Sequence, residues 1–155
     1  MQSLNWKNFL PATKVFLDLQ GNDFPSVVAE MLGDFQSKCD RQKIIGRIFE
    51  REKQHSTYVG HGVAVPHASC GQLSCHACKH AKLIFGRSVQ GVPFSVGDDM
   101  ETVRLFVLFV VPSGREHEYL QSLGKVMRGL HSPGAMDRIM SAVTEDEFRK
   151  VFESD

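Results

Sequence analysis

From Val103 to Val111 every position except Arg104 is apolar, and most are branched or aromatic. A run of this kind predicts a central strand covered on both faces, which requires helices on both sides of a sheet. Other strands are shorter. Lys14 to Leu19 alternates as a strand does, and Ala81 to Val89 reads as another strand; a turn at Gly91 to Phe94 leads into a further short strand, and Gly97-Asp98-Asp99 makes another turn.

The remaining apolar residues recur at helical spacing. Trp6 to Leu10 predicts a helical turn ended by Pro11. Asp23 is the expected N-cap, and Pro25 the first-turn residue, of a helix carrying Val27, Val28, Met31, Leu32 and Phe35. Asp40 is expected to cap a second, with Ile44, Ile45, Ile48 and Phe49 on one face and Arg41, Lys43, Arg47 and Arg51 mostly off it. Ser113 and Glu116 form a capping box before Leu120, Leu123, Val126, Met127 and Leu130, which are expected to share one face. Ser132-Pro133 opens a short helix with Met136, Ile139 and Met140. Thr144 and Glu147 form a second capping box, for a helix with Phe148, Val151 and Phe152.

These elements predict an α/β fold: a single-domain sandwich over residues 1–155, with a mixed β-sheet flanked by helices on both faces. The close turns between Val89 and Val103 leave no room for crossover helices, so the sheet is expected to be mixed.

Composition narrows the function. The chain has 155 residues, 42% hydrophobic and 23% charged, with 18 basic residues balancing 18 acidic ones. Zero formal charge argues against nucleic acid as a partner, and the apolar run at Leu105 to Val111 is too short to span a bilayer. No basic-then-apolar signal pattern opens the sequence, so a cytoplasmic protein is expected.

The most informative stretch is Gly60-His61-Gly62-Val63-Ala64-Val65-Pro66-His67-Ala68. Val63 to Val65 reads as a short buried strand, which Pro66 should stop, delivering His67 at the strand end. Gly60 and Gly62 lack a Cβ, so their backbone amides can approach a bound anion such as phosphate. A histidine side chain titrates near roughly 6.5, so His67 is available as an uncharged nucleophile toward phosphorus. Upstream, Ser56 and Thr57 lie in a polar loop from Lys53 to His61 and are candidates to hydrogen-bond the imidazole or a phosphoryl oxygen.

Read with Glu50-Arg51-Glu52, Ser56-Thr57, Gly91-Val92-Pro93-Phe94, the run from Val103 to Pro112, and Leu120-Gln121-Ser122-Leu123, the block resembles the enzyme IIA proteins of the bacterial phosphotransferase system, fructose/mannitol type. The nitrogen-regulatory members are the nearest look-alikes. The resemblance implies the same sandwich and a phosphohistidine at His67, loaded by a small HPr-like phosphodonor without any required cofactor. Arg51 aligns with the family's active-site arginine, and a guanidinium suits the charge on a transferring phosphoryl group. A second site histidine of the family is replaced here by Tyr119, which keeps a donor but cannot become cationic near neutral pH.

The resemblance further implies one of two roles: a regulator that binds a target protein according to its phosphorylation, or a sugar-transport IIA that hands phosphate to a permease IIB domain. A different class of function is suggested by the segment Ala68 to Ala81, which departs from the family. It holds Cys70, Cys75, His76, Cys78 and His80; Cys75 and Cys78 have zinc-site spacing, with Cys70, His80 or His67 able to complete the ligands of a metal or redox sensor.

Overall fold

The computed structural model describes residues 4–33, 38–71 and 80–153. The two longest strands, β5 (Lys82–Val96) and β6 (Asp99–Pro112), form an antiparallel hairpin at the centre of a six-stranded sheet. On one side β1 (Lys14–Phe16) runs parallel to β5. On the other, β3 (Val63–Ala64) and β4 (His67–Gly71) both run parallel to β6, and β2 (Tyr58–Gly60) pairs antiparallel with β3. The sheet is mixed, as expected.

Alternation along β6 explains its uninterrupted apolar sequence. Leu105, Val107, Phe109 and Val111 face one layer, made by α1 (Trp6–Phe9), α4 (Glu116–Leu130), α5 (Ala135–Ser141) and α6 (Glu145–Lys150). Phe106, Leu108 and Val110 face the other, made by α2 (Phe24–Met31) and α3 (Lys38–Gln54). With both faces covered, no position from Leu105 to Val110 retains solvent exposure, and each large side chain contributes about 1.5–3 kcal/mol of burial.

Helix caps follow the sequence where a short polar side chain precedes the first turn. Asp23 accepts from the Ser26 N–H, and Thr144 accepts from the Glu147 N–H while Glu147 reaches back to the Val143 N–H. Other boundaries differ. Asp40 lies inside α3 rather than capping it. Ser113 is not the N-cap of α4: Gly114 turns the chain with φ 85°, and Arg115 takes that place. Pro11 continues the first helical turn as a 3-10 turn, Leu10–Ala12, rather than ending it. The expected turn at Gly91 is a bulge within a continuous β5, where the register with β6 shifts between Arg87 and Val92.

On α4 the buried side is Glu118, Ser122, Val126 and Gly129, and Leu120 is 63% exposed. The helix is rotated from the expected apolar face so that Tyr119 packs edge-on against Phe109, ring centres 4.9 Å apart.

Candidate functional site

Pro66 breaks the strand without breaking its pairing. Its carbonyl still accepts from the Phe109 N–H at 3.0 Å, so the chain resumes beside β6 as β4, and His67 opens that second strand rather than closing the first. His67 lies opposite Phe109 and is half-buried.

The imidazole is oriented by its own backbone. Nδ1 is 3.1 Å from the Val65 carbonyl, two residues back. A carbonyl only accepts, so Nδ1 carries the proton, and in the neutral ring Nε2 holds the free lone pair. Over this ring stands Tyr119, with centroids 5.3 Å apart and planes inclined at 31°. Burial pushes the Tyr119 phenol above its ordinary pKa, and the nearby Arg51 guanidinium offsets part of that shift. The phenol therefore stays protonated at neutral pH and is a permanent donor.

Arg51 comes from the end of α3, beside the same strand. One turn earlier, Arg47 donates to the Ser69 carbonyl of β4 at 2.9 Å, and Arg51 itself donates to the His55 carbonyl at 3.0 Å. His67 and Tyr119, from a strand and from the helix layer on one face, are in ring contact, and Arg51, from the helix layer on the other face, acts electrostatically on the Tyr119 phenol.

Other predicted site residues are elsewhere. Gly60 ends β2 and Gly62 is the second residue of a two-residue hairpin loop, His61-Gly62, whose φ values of 55° and 78° are both positive, as a tight β-hairpin turn requires. The Gly62 carbonyl accepts from the Arg104 and Leu105 N–H groups, whereas His67 pairs with Phe109. Four residues of strand separate these levels, about 13 Å, and the Gly62 N–H is taken by the Tyr58 hydroxyl. The glycines serve the hairpin and not a phosphate cradle at His67.

Thr57 is buried and committed as well: its hydroxyl and N–H both donate to the Glu52 carboxylate at 2.7 Å. Ser56 accepts from the Tyr58 N–H. Since the Thr57 carbonyl accepts from the Val65 N–H, Ser56 stands one residue nearer to His67 along the same edge.

The sequence did not single out Glu118. This nearly buried carboxylate accepts from the Ala81 N–H at 2.9 Å, pairs with His80 Nδ1 at 3.2 Å and lies 3.5 Å from Arg115. Burial raises its pKa, but these partners together outweigh burial and hold it below its ordinary value. The pairing ties the start of β5 to α4, one residue before Tyr119. A signal existed in the spacing of Glu118, Ser122 and Val126, four residues apart on the side that α4 turns inward.

Of the proposed metal ligands, Cys75 and Cys78 lie outside the described residues, and Cys70 is placed only as backbone of β4. Among the described residues no group of three or more His, Cys, Asp or Glu is arranged to hold a metal ion. His80 is exposed, and Glu118 holds its Nδ1, which leaves Nε2 for another partner. No helix of the described residues is long and apolar enough to cross a membrane.

Residues 8–155 match the family described as phosphoenolpyruvate-dependent sugar phosphotransferase system, EIIA 2. The PTS system fructose-like EIIA component of Escherichia coli (strain K12) is 30% identical over 122 residues, 77% of this chain and 78% of that protein. The PTS system fructose-specific EIIA component of Haloferax volcanii is 29% identical over 112 residues, 72% of this chain and 69% of its own. Among solved structures, the nitrogen regulatory protein IIA-Ntr from Neisseria meningitidis superposes with a TM-score of 0.75 at 25% identity, covering 94% of this chain and 97% of that one.

Proposed function

The chain belongs to the phosphoenolpyruvate-dependent sugar phosphotransferase system EIIA 2 family, and from that premise we propose that it is a phosphohistidine carrier whose acceptor atom is Nε2 of His67. The observation that carries this reading is the Nδ1 contact to the Val65 carbonyl, which leaves a single ring nitrogen able to attack phosphorus.

The donor is an HPr-like protein bearing its own phosphohistidine. The bond from phosphorus to the donor imidazole breaks, its electron pair stays with the donor ring, and a new bond forms to Nε2. The His67 ring takes up positive charge as it does so, and its Nδ1–H, still donating to Val65, stabilises that charge. Transfer of a loosely held phosphoryl group depends mainly on positioning and on charge stabilisation. Arg51 supplies a guanidinium and Tyr119 a neutral donor, and neither step calls on a metal or cofactor.

We favour nitrogen-type regulation on the likeness to IIA-Ntr, with a TM-score of 0.75 at 25% identity, over the sugar-transport role that the fructose-type relatives at 29% and 30% identity support. On this reading the protein is cytoplasmic and binds a regulated target according to the charge on His67; on the other, it passes phosphate to a permease IIB domain. Incubation with phosphoenolpyruvate and the general phosphotransferase proteins, followed by mass measurement in alkali, tests the carrier. One added phosphoryl group on the wild type and none on His67→Ala is expected; full labelling of the variant removes the assignment. Transfer onward to a IIB domain would favour the transport role.

A second reading has one observation behind it. The Glu118 carboxylate orients His80 through Nδ1, as the outer partners of metal-bound histidines do. Zinc held by Cys70, Cys75, Cys78 and His80 would make the segment a metal-responsive element. Element analysis of protein purified without an affinity tag tests this, and a metal-free sample whose melting is unchanged by chelator rejects it.

A further inference from the structure

We infer that Glu52 is a positioning residue for the phosphoryl acceptor: its carboxylate, acting through Thr57 and the Val65 peptide, holds the carbonyl that decides which nitrogen of His67 is free. The inference rests on the reading of His67 as the acceptor and adds to it the group that keeps the ring in its reactive form.

The imidazole is aimed by its Nδ1–H bond to the Val65 carbonyl at 3.1 Å, and a histidine takes its tautomer from such a bond. The Val65 carbonyl is placed in turn by anchors on either side of it. After it, the Pro66 carbonyl accepts from the N–H of the fully buried Phe109 at 3.0 Å, and the proline ring fixes φ. Before it, the Val65 N–H donates to the Thr57 carbonyl at 3.0 Å. The first anchor is the central strand of the sheet, whereas the second sits in the loop that leaves α3.

Glu52 ties that loop down. Its Oε2 accepts from the Thr57 N–H and its Oε1 from the Thr57 hydroxyl, both at 2.7 Å, the short length of a bond to a charged acceptor. The β2–β3 ladder beside it is brief, pairing Tyr58 with Ala64 and Gly60 with Val63 across a register shift, so it adds little support of its own. Arg51 is the neighbour of Glu52 on α3 and closes the same loop by donating to the His55 carbonyl. One carboxylate thus fixes the end of the helix that carries Arg51 against the segment that carries His67. Without it the Val65 carbonyl is free to turn, and a neutral imidazole that loses this acceptor distributes its proton over both nitrogens. Molecules protonated at Nε2 have no lone pair there to offer phosphorus.

The test is NMR of the full chain isotopically labelled at its histidine ring nitrogens, at about pH 8.5, where a free imidazole is neutral; the His67 signals are those lost in His67→Ala. The wild-type ring is expected almost wholly in the Nδ1–H form. Glu52→Ala should convert it to a mixture of tautomers and slow phosphorylation by the HPr-like donor about tenfold, the order of one lost hydrogen bond. Glu52→Gln should restore both readouts, because its Oε1 still accepts the Thr57 N–H and its amide donates to the Thr57 hydroxyl, which accepts as well as it donates. Thr57→Val removes the hydroxyl alone and should shift the tautomer the same way by less; it decides the matter if circular dichroism shows Glu52→Ala unfolded. The inference is overturned if folded Glu52→Ala or Thr57→Val keeps the wild-type tautomer, whatever its rate, or if Glu52→Gln is as mixed as Glu52→Ala. A wild type that takes no phosphoryl group from the donor would remove the carrier reading, a result on which the tautomer comparison does not depend.

Discussion

The rings of His67 and Tyr119 stand 5.3 Å apart at 31°, and behind the phenol Phe109 packs edge-on at 4.9 Å. The phenol is thus held by aromatic contacts on both sides, and its hydroxyl adds a donor that cannot gain a charge. Tyr119→Phe should keep the packing and lose the donor, slowing phosphorylation of His67 about tenfold, the order expected for a hydrogen bond to a charged group. Tyr119→His should introduce a group that protonates near neutrality, so that the ratio of its rate to that of Tyr119→Phe rises as pH falls toward 6, roughly the range of a free imidazole. Rapid-quench labelling against pH distinguishes the two, and equal rates in Tyr119→Phe and wild type would leave the hydroxyl without a role.

Arg51 makes its hydrogen bond to the His55 carbonyl at an exposed position, so its removal should spare the fold. Arg51→Ala is expected to lower the phosphoryl transfer rate about 10²–10³-fold, the range seen when one charge-stabilising donor is lost. Arg51→Lys should recover part of this, since an ammonium supplies charge without the planar fork. Circular dichroism checks the fold and labelling kinetics the rate.

Glu118 has its pKa held below the ordinary 4.5 by the Ala81 N–H, His80 and Arg115, despite burial. A carboxyl depressed in the folded state contributes stability that is present above its unfolded pKa and is lost as pH falls through the folded one. Stability should therefore decline on acidification below about 4.5, and Glu118→Gln should flatten that part of the profile. The same substitution should cost about 1–2 kcal/mol at neutral pH, because the charge-assisted bonds become neutral ones. Urea unfolding as a function of pH measures both effects.

Ser122 is fully buried on α4, and its hydroxyl has no hydrogen-bond partner among the described residues. Ser122→Ala should remove an unsatisfied polar group and stabilise the protein by about 1 kcal/mol, raising Tm by about 2–4 °C for a chain of this size. A lower Tm would mean that the hydroxyl is satisfied in solution.

Much of this protein was legible in local sequence. The unbroken apolar run of β6 and the capping residues Asp23 and Thr144 were enough to anticipate the sandwich, and His67 was read from its own strand-and-proline setting, whereas Arg51 and Tyr119 came from the resemblance to the family. Each is a short-range signal: side-chain alternation, a side-chain oxygen three residues from an amide, or a motif read in order. The tertiary structure decided what depends on pairing between distant segments. Gly60 and Gly62 stand only a few residues before His67, yet β3 and β4 lie along β6 and so separate them by the length of a strand. The rotation of α4 exposes Leu120, and Glu118 meets His80 across the fold. The registers of β3, β4 and β5 against β6 set these distances, and register is a non-local property that no window of sequence around His67 contains.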